Sequence, residues 1–146
     1  MTRFRFGLLA LSALLAVGAW VTLSSGSAFA QASTRMTVTL LEYQILLERM
    51  DVPAGEVVFD VVNTGEEVHE FVVVKSDLDI AALPPSPNVK DEVDETAIGQ
   101  FIDGLENVQP AAGAEKRMTL SPGRYILLCN LTGHYKGGMV GTLQVN

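Results

Sequence analysis

Cys129, His134 and Met139 stand five residues apart in the run C-N-L-T-G-H-Y-K-G-G-M, in a chain with one cysteine and two histidines. Thiolate, imidazole and thioether form a soft donor set. Copper accepts all three, and two imidazoles with a thiolate and a weak axial thioether make the copper geometry used for electron transfer. The second imidazole has one source, His69. Singly, each residue has a plainer explanation: a core histidine, a buried thiol, a core-filling methionine. Their combination makes His69, Cys129, His134 and Met139 candidate ligands of one copper ion.

The compartment fits. Arg3 and Arg5 precede an apolar stretch over 7–23, and Ala28-Phe29-Ala30 matches a small-residue cleavage site, so residues 1–30 are expected to be an export signal. The arginines are not adjacent, which argues against a twin-arginine route. Retention as an anchor is the alternative, since the stretch is near the lower limit for a membrane span. Export places the protein in the periplasm or outside the cell, where an idle thiol is a liability and a lone cysteine has no internal disulfide partner.

Residues 31–146 suffice for one domain. Loss of 1–30 removes two arginines and no acid, taking the net charge from −7 to −9. Nucleic acid and anionic lipid are thereby disfavoured as partners, since both need a basic face. A basic protein partner would be attracted at long range, although acidity also serves solubility alone.

Short β-branched and aromatic runs between turn residues predict an all-β sandwich that positions these donors. Strands are expected over 36–47 (as one kinked strand or two), 56–62, 68–75, 116–120, 124–129 and 139–145. Between 76 and 115 the pattern changes. Leu83-Pro-Pro-Ser-Pro87 is incompatible with a central strand. Ile98, Phe101, Ile102 and Leu105 fall at i, i+3, i+4 and i+7, which predicts a short amphipathic helix. Asp91, Glu92, Asp94 and Glu95 would favour its N-terminal dipole.

Alternation along strands puts Tyr125, Leu127 and Cys129 on one face. Met139, Gly141, Leu143 and Val145 share another, and His69 shares its face with Phe71 and Val73. Each candidate ligand is therefore in line with apolar residues at a strand end. The 130–138 loop would arch over that end, with Gly133, Gly137 and Gly138 allowing a tight turn.

The run L-S-P-G-R-Y-I-L-L-C-N-L-T-G-H-Y-K-G-G-M-V-G-T-L-Q-V resembles the C-terminal third of the cupredoxins, the small type 1 blue copper proteins that include plastocyanin, azurin and rusticyanin. Upstream, A-G-E-V-V-F-D-V-V-N-T-G-E-E-V-H-E-F-V-V-V resembles the segment that supplies their first histidine. The resemblance covers 52–75 and 115–146. It implies a Greek-key β-sandwich or barrel, one copper ion cycling between Cu(I) and Cu(II), and one-electron transport in a monomer. By position it implies His69, Cys129 and His134 as strong ligands and Met139 as the axial one. Tyr125 would close a tyrosine corner. His134, flanked by Leu131, Tyr135 and Met139, would be the electron exit, with Lys136 a charge beside it. One departure is Glu70, where many members carry Asn or Ser that ties the ligand loops together.

Two histidines are too few for a multicopper oxidase, and one cysteine is too few for a dinuclear copper centre, so no enzyme is expected. Nucleophilic catalysis by Cys129 leaves Met139 and the glycine loop unexplained. The acceptor pattern Asn130-Leu-Thr132 is not expected to carry a glycan, which would block the loop. The alternative function is copper storage or delivery on the same ligands. Redox partners such as cytochromes, or an oxidase or reductase, would suit an exported acidic carrier.

Overall fold

A computed structural model describes residues 33–146; the signal-like segment lies outside the described residues. Among the described residues nine strands follow in order: β1 (Thr34–Leu41), β2 (Gln44–Leu47), β3 (Asp51–Val52), β4 (Gly55–Asn63), β5 (His69–Lys75), β6 (Gln100–Val108), β7 (Gly113–Leu120), β8 (Gly123–Leu128) and β9 (Val140–Val145). They form two mixed sheets, ordered β2-β1-β4-β7 and β3-β9-β8-β5-β6. The β1–β4 and β3–β9 pairs are parallel and the others antiparallel. The all-β sandwich expected from the sequence is present.

Period-two alternation decides what lies between the sheets. Phe71 and Val73 of β5, Tyr125 and Leu127 of β8, and Leu143 and Val145 of β9 point inward to meet Met36, Val38, Phe59 and Val61. Cys129 and Met139 belong to the same core. The alternate residues Val72, Val74, Ile126 and Leu128 build a second cluster with Leu83, Val93 and Ile98 from the 76–99 connection. That connection therefore covers the far face of the larger sheet, and β5 and β8 are apolar on both sides.

The expected helix is absent: among the described residues there is none, and Gln100–Val108 is an edge strand paired with β5. Two glycines explain why. A Cβ on Gly99, at φ 144°, would lie 2.3 Å from the Lys75 carbonyl oxygen, and one on Gly104 would lie 2.7 Å from that of Phe71. Both therefore permit close backbone pairing with β5, and both lower helix propensity. Register shifts in the β5–β6 pair break the simple alternation by which β6 would have been recognised. Phe101, assigned to the helix's apolar face, is 53% exposed.

The Tyr125 corner is formed, its hydroxyl donating to the Ser121 carbonyl at 2.8 Å. It fixes the entry of β8, the strand that ends at Cys129.

Candidate metal centre

All four candidate ligands come to one end of the sandwich. His69 opens β5, Cys129 directly follows β8, and Met139 directly precedes β9. The β8–β9 pairing continues past the strand ends, with Cys129 N–H donating to the Met139 carbonyl at 3.1 Å. Met139 N–H donates to the His134 carbonyl at 3.0 Å, closing the loop on itself. Gly133 and Gly138 take positive φ, 86° and 109°. Gly137 serves differently: a Cβ there would lie 2.0 Å from Tyr43 Cδ1, so the glycine makes room for that ring.

The donor atoms converge. His69 Nδ1 lies 3.2 Å from His134 Nδ1, which lies 3.3 Å from Cys129 Sγ. All three atoms are within 4.8 Å of one another. His69, Cys129 and Met139 are fully buried, while the His134 side chain keeps 12% exposure. Two imidazole lone pairs and a sulfur aimed at one small volume suit a soft cation, and the donor types are those copper accepts. Burial, then the nearby His134, holds the His69 imidazole below its ordinary value, which favours the neutral form that ligation requires. Burial pushes the Cys129 thiol up, opposed by the N–H groups of Glu70 and Leu131.

Residues not singled out from the sequence hold this arrangement. Glu42, in the β1–β2 turn, accepts N–H bonds from Glu66 at 2.6 Å and Glu67 at 2.9 Å. Its carboxyl is held below the usual range by the Glu67 N–H first, then by its own. Asn63 is fully buried, donates to the carbonyls of Glu67 and Val108, and accepts from Gly65 N–H. Tyr43 sets its ring edge-on to His134, with centroids 6.1 Å apart. Asn63 stands in the turn-forming run Asn63-Thr-Gly65, whereas Glu42 and Tyr43 lie in a turn whose fold partners are remote in sequence.

The acidic run 91–95 has no helix to cap, and three of its four acids brace the 130–138 loop instead. Asp91 pairs with Lys136, Glu92 accepts from Thr132, and Glu95 accepts from Asn130. The Asn130 amide also exchanges bonds with Val93, which leaves it 8% exposed and engaged. Lys136 is thus an internal tie of the loop. The apolar patch around His134 also differs from expectation. Met139 is buried, and Tyr135 donates to the Ile80 carbonyl while accepting from Leu83 N–H. The exposed ring beside His134 is Tyr43.

Glu70 faces away from the donors. Its backbone N–H reaches Cys129 Sγ at 3.2 Å, while its side chain lines a cavity of about 430 Å³ with Glu95, Asp103 and Glu106. Burial, then Glu95 and Glu106, raises its carboxyl above the usual range. Asn63 and Glu42 hold the loop before His69, while the N–H of Asn130, next to Cys129, bonds to the Glu70 carboxyl and partly offsets that rise.

Fold and donor set together define a cupredoxin, a blue copper protein of the electron-transfer class and not an enzyme, with one copper ion as its cofactor. The family model for the sulfocyanin (SoxE) domain matches residues 47–146, and the chain belongs to that family. Among solved structures it is similar to dithionite-reduced auracyanin from Roseiflexus castenholzii, at 25% identity over 80% of this chain and 99% of that one, with a TM-score of 0.57. Azurin from Methylomonas sp. strain J (19% identity, 79% and 99% covered, TM-score 0.56) and reduced rusticyanin (17%, 81% and 82%, 0.58) share the fold. No curated protein matches the chain in sequence.

Proposed function

We propose that the chain is an exported one-electron carrier whose copper would be held by His69, Cys129, His134 and Met139. The carrying observation is the convergence of two Nδ1 atoms and Sγ within 4.8 Å at one end of a rigid sandwich. Bound there, copper would supply a reversible one-electron couple. The chain's own residues do the rest. Core side chains on both sheets exclude water from three of the four proposed ligands, which helps set the potential. The latched loop resists change of shape, and a site that moves little transfers electrons at small reorganisation cost. His134, partly exposed among buried neighbours, gives the electron its way out.

Export of a domain spanning 31–146 after cleavage at Ala30 is supported by the sequence of the first thirty residues. The acidic balance supports a basic redox protein as partner. Storage or delivery of copper on the same ligands is weakened by the burial of His69, Cys129 and Met139, since a delivery site needs exchangeable donors.

Cu(II) added to the purified mature chain tests the proposal. An intense blue band with fast, reversible one-electron cycling is expected. Weak colour and ready loss of copper to a chelator would favour the delivery reading.

A further inference from the structure

His69 presents one ring nitrogen to the donor cluster and leaves the other, Nε2, fully buried with no hydrogen-bond partner. A buried N–H without an acceptor is costly, and imidazoles that ligate metals almost always donate their second N–H to a carboxylate, carbonyl or water. The acceptor that faces Nε2 is Glu42 Oε1, at 3.6 Å. That separation exceeds a formed hydrogen bond and closes with a displacement of roughly half an ångström, toward the donor–acceptor distances at which such bonds form.

Glu42 is not there by chance of a floppy side chain. The same Oε1 is clamped by the N–H groups of Glu66 and Glu67, three and two residues before His69 in the same loop. Gly65 completes the cradle, because a Cβ at that position would lie 2.3 Å from Oε1 and 2.8 Å from Cδ of Glu42. The loop thus omits a side chain where the carboxylate sits. Glu42 keeps about a third of its surface, so solvent screens its charge only in part.

Resting on the reading of His69 as a copper ligand, we infer that Glu42 is the positioning residue of the first imidazole: its carboxylate takes the Nε2 proton of His69 in a hydrogen bond, fixes the ring and lowers the reduction potential. The sign follows from charge. A fixed negative group at the back of the ring stabilises the more positive, oxidised centre more than the reduced one. Glu67 makes a similar contact to the second imidazole, its Oε2 lying 3.3 Å from His134 Nε2, but is 54% exposed and more screened.

The test is protein-film or solution voltammetry of copper-loaded variants, with hydrogen exchange on the copper-free chain. Glu42→Gln keeps the acceptor oxygen and removes the charge, so the blue band is expected to persist while the potential shifts upward. Glu56→Gln, near the opposite end of β4, controls for loss of one surface charge and is expected to shift it less. Gly65→Ala retains every charge yet displaces the carboxylate, so it is expected to shift the potential in the same direction as Glu42→Gln. A Glu42→Gln shift no larger than that of Glu56→Gln, or a wild-type potential in Gly65→Ala, would overturn the inference. In the copper-free chain, Glu42→Ala is expected to speed amide exchange at Glu66 and Glu67, whereas Glu42→Gln leaves it slow. Unchanged exchange in Glu42→Ala would remove the clamp and the inference with it. Absence of a blue band in the wild-type chain would count against the copper reading instead, and the exchange arm would still report on Glu42.

Discussion

Cys129 has no substitute within the chain, because a hydroxyl in its place gives copper a harder, poorer donor. Cys129→Ser is therefore expected to abolish the intense visible band, and retention of that band in the absorption spectrum would contradict the ligand assignment. Met139→Leu keeps the core filled at similar volume, so copper should stay bound while the potential rises, as voltammetry would show. The candidate donors that the fold brings together were visible in the sequence because their types are rare here and their spacing is tight. Glu42, Tyr43 and the bracing role of 91–95 were not. Glutamate and tyrosine are common residues, and their partners at Glu66, Gly137 and Thr132 lie tens of residues away. Only the β1–β4 pairing, which sets the β1–β2 turn beside the His69 loop, brings Glu42 to its site.

At the level of elements, the β1–β2 turn is a two-sided clamp. Glu42 holds the loop before His69, and Tyr43 packs against Gly137 in the loop that bears His134. Gly137→Ala should push the Tyr43 ring aside, lowering stability by about 1 kcal/mol and speeding copper loss to a chelator. Denaturant titration and competition kinetics would check both, and wild-type values in each would exclude the clamp. Strands such as β4, β5, β8 and β9 could be foreseen from short β-branched and apolar runs bounded by turn residues. The misreading of β6 as a helix has a physical cause. Four apolar residues at helical spacing also fit a bulged edge strand, and the period that separates the two is lost where the register shifts.

For the whole molecule, charge governs behaviour in acid. Hydrogen bonds and paired cations hold Glu42, Glu48, Asp91, Asp94, Asp103 and Glu115 below their ordinary values, with Lys136 acting on Asp91, Lys116 on Asp103 and Arg35 on Glu115. Carboxyls depressed on folding contribute stability that is present above their unfolded values, around pH 4, and is lost as pH falls through the folded ones. Glu70 works in the opposite sense. In the copper-free chain the buried His69 costs stability as pH falls below about 6.5, and the carboxyls add their loss below about pH 4.5. The unfolding midpoint is therefore expected to decline on acidification, most steeply below about pH 4.5, and a midpoint that rose would contradict this. Asp91 belongs to the brace over the 130–138 loop through Lys136, so that tie should loosen in the same range.

Diffraction at the copper absorption edge, from crystals of the copper-loaded chain, is the most direct measurement. One anomalous peak is expected, within bonding reach of His69 Nδ1, His134 Nδ1 and Cys129 Sγ together. A peak elsewhere, or one bonded to Cys129 and His134 but out of reach of His69, would contradict the account.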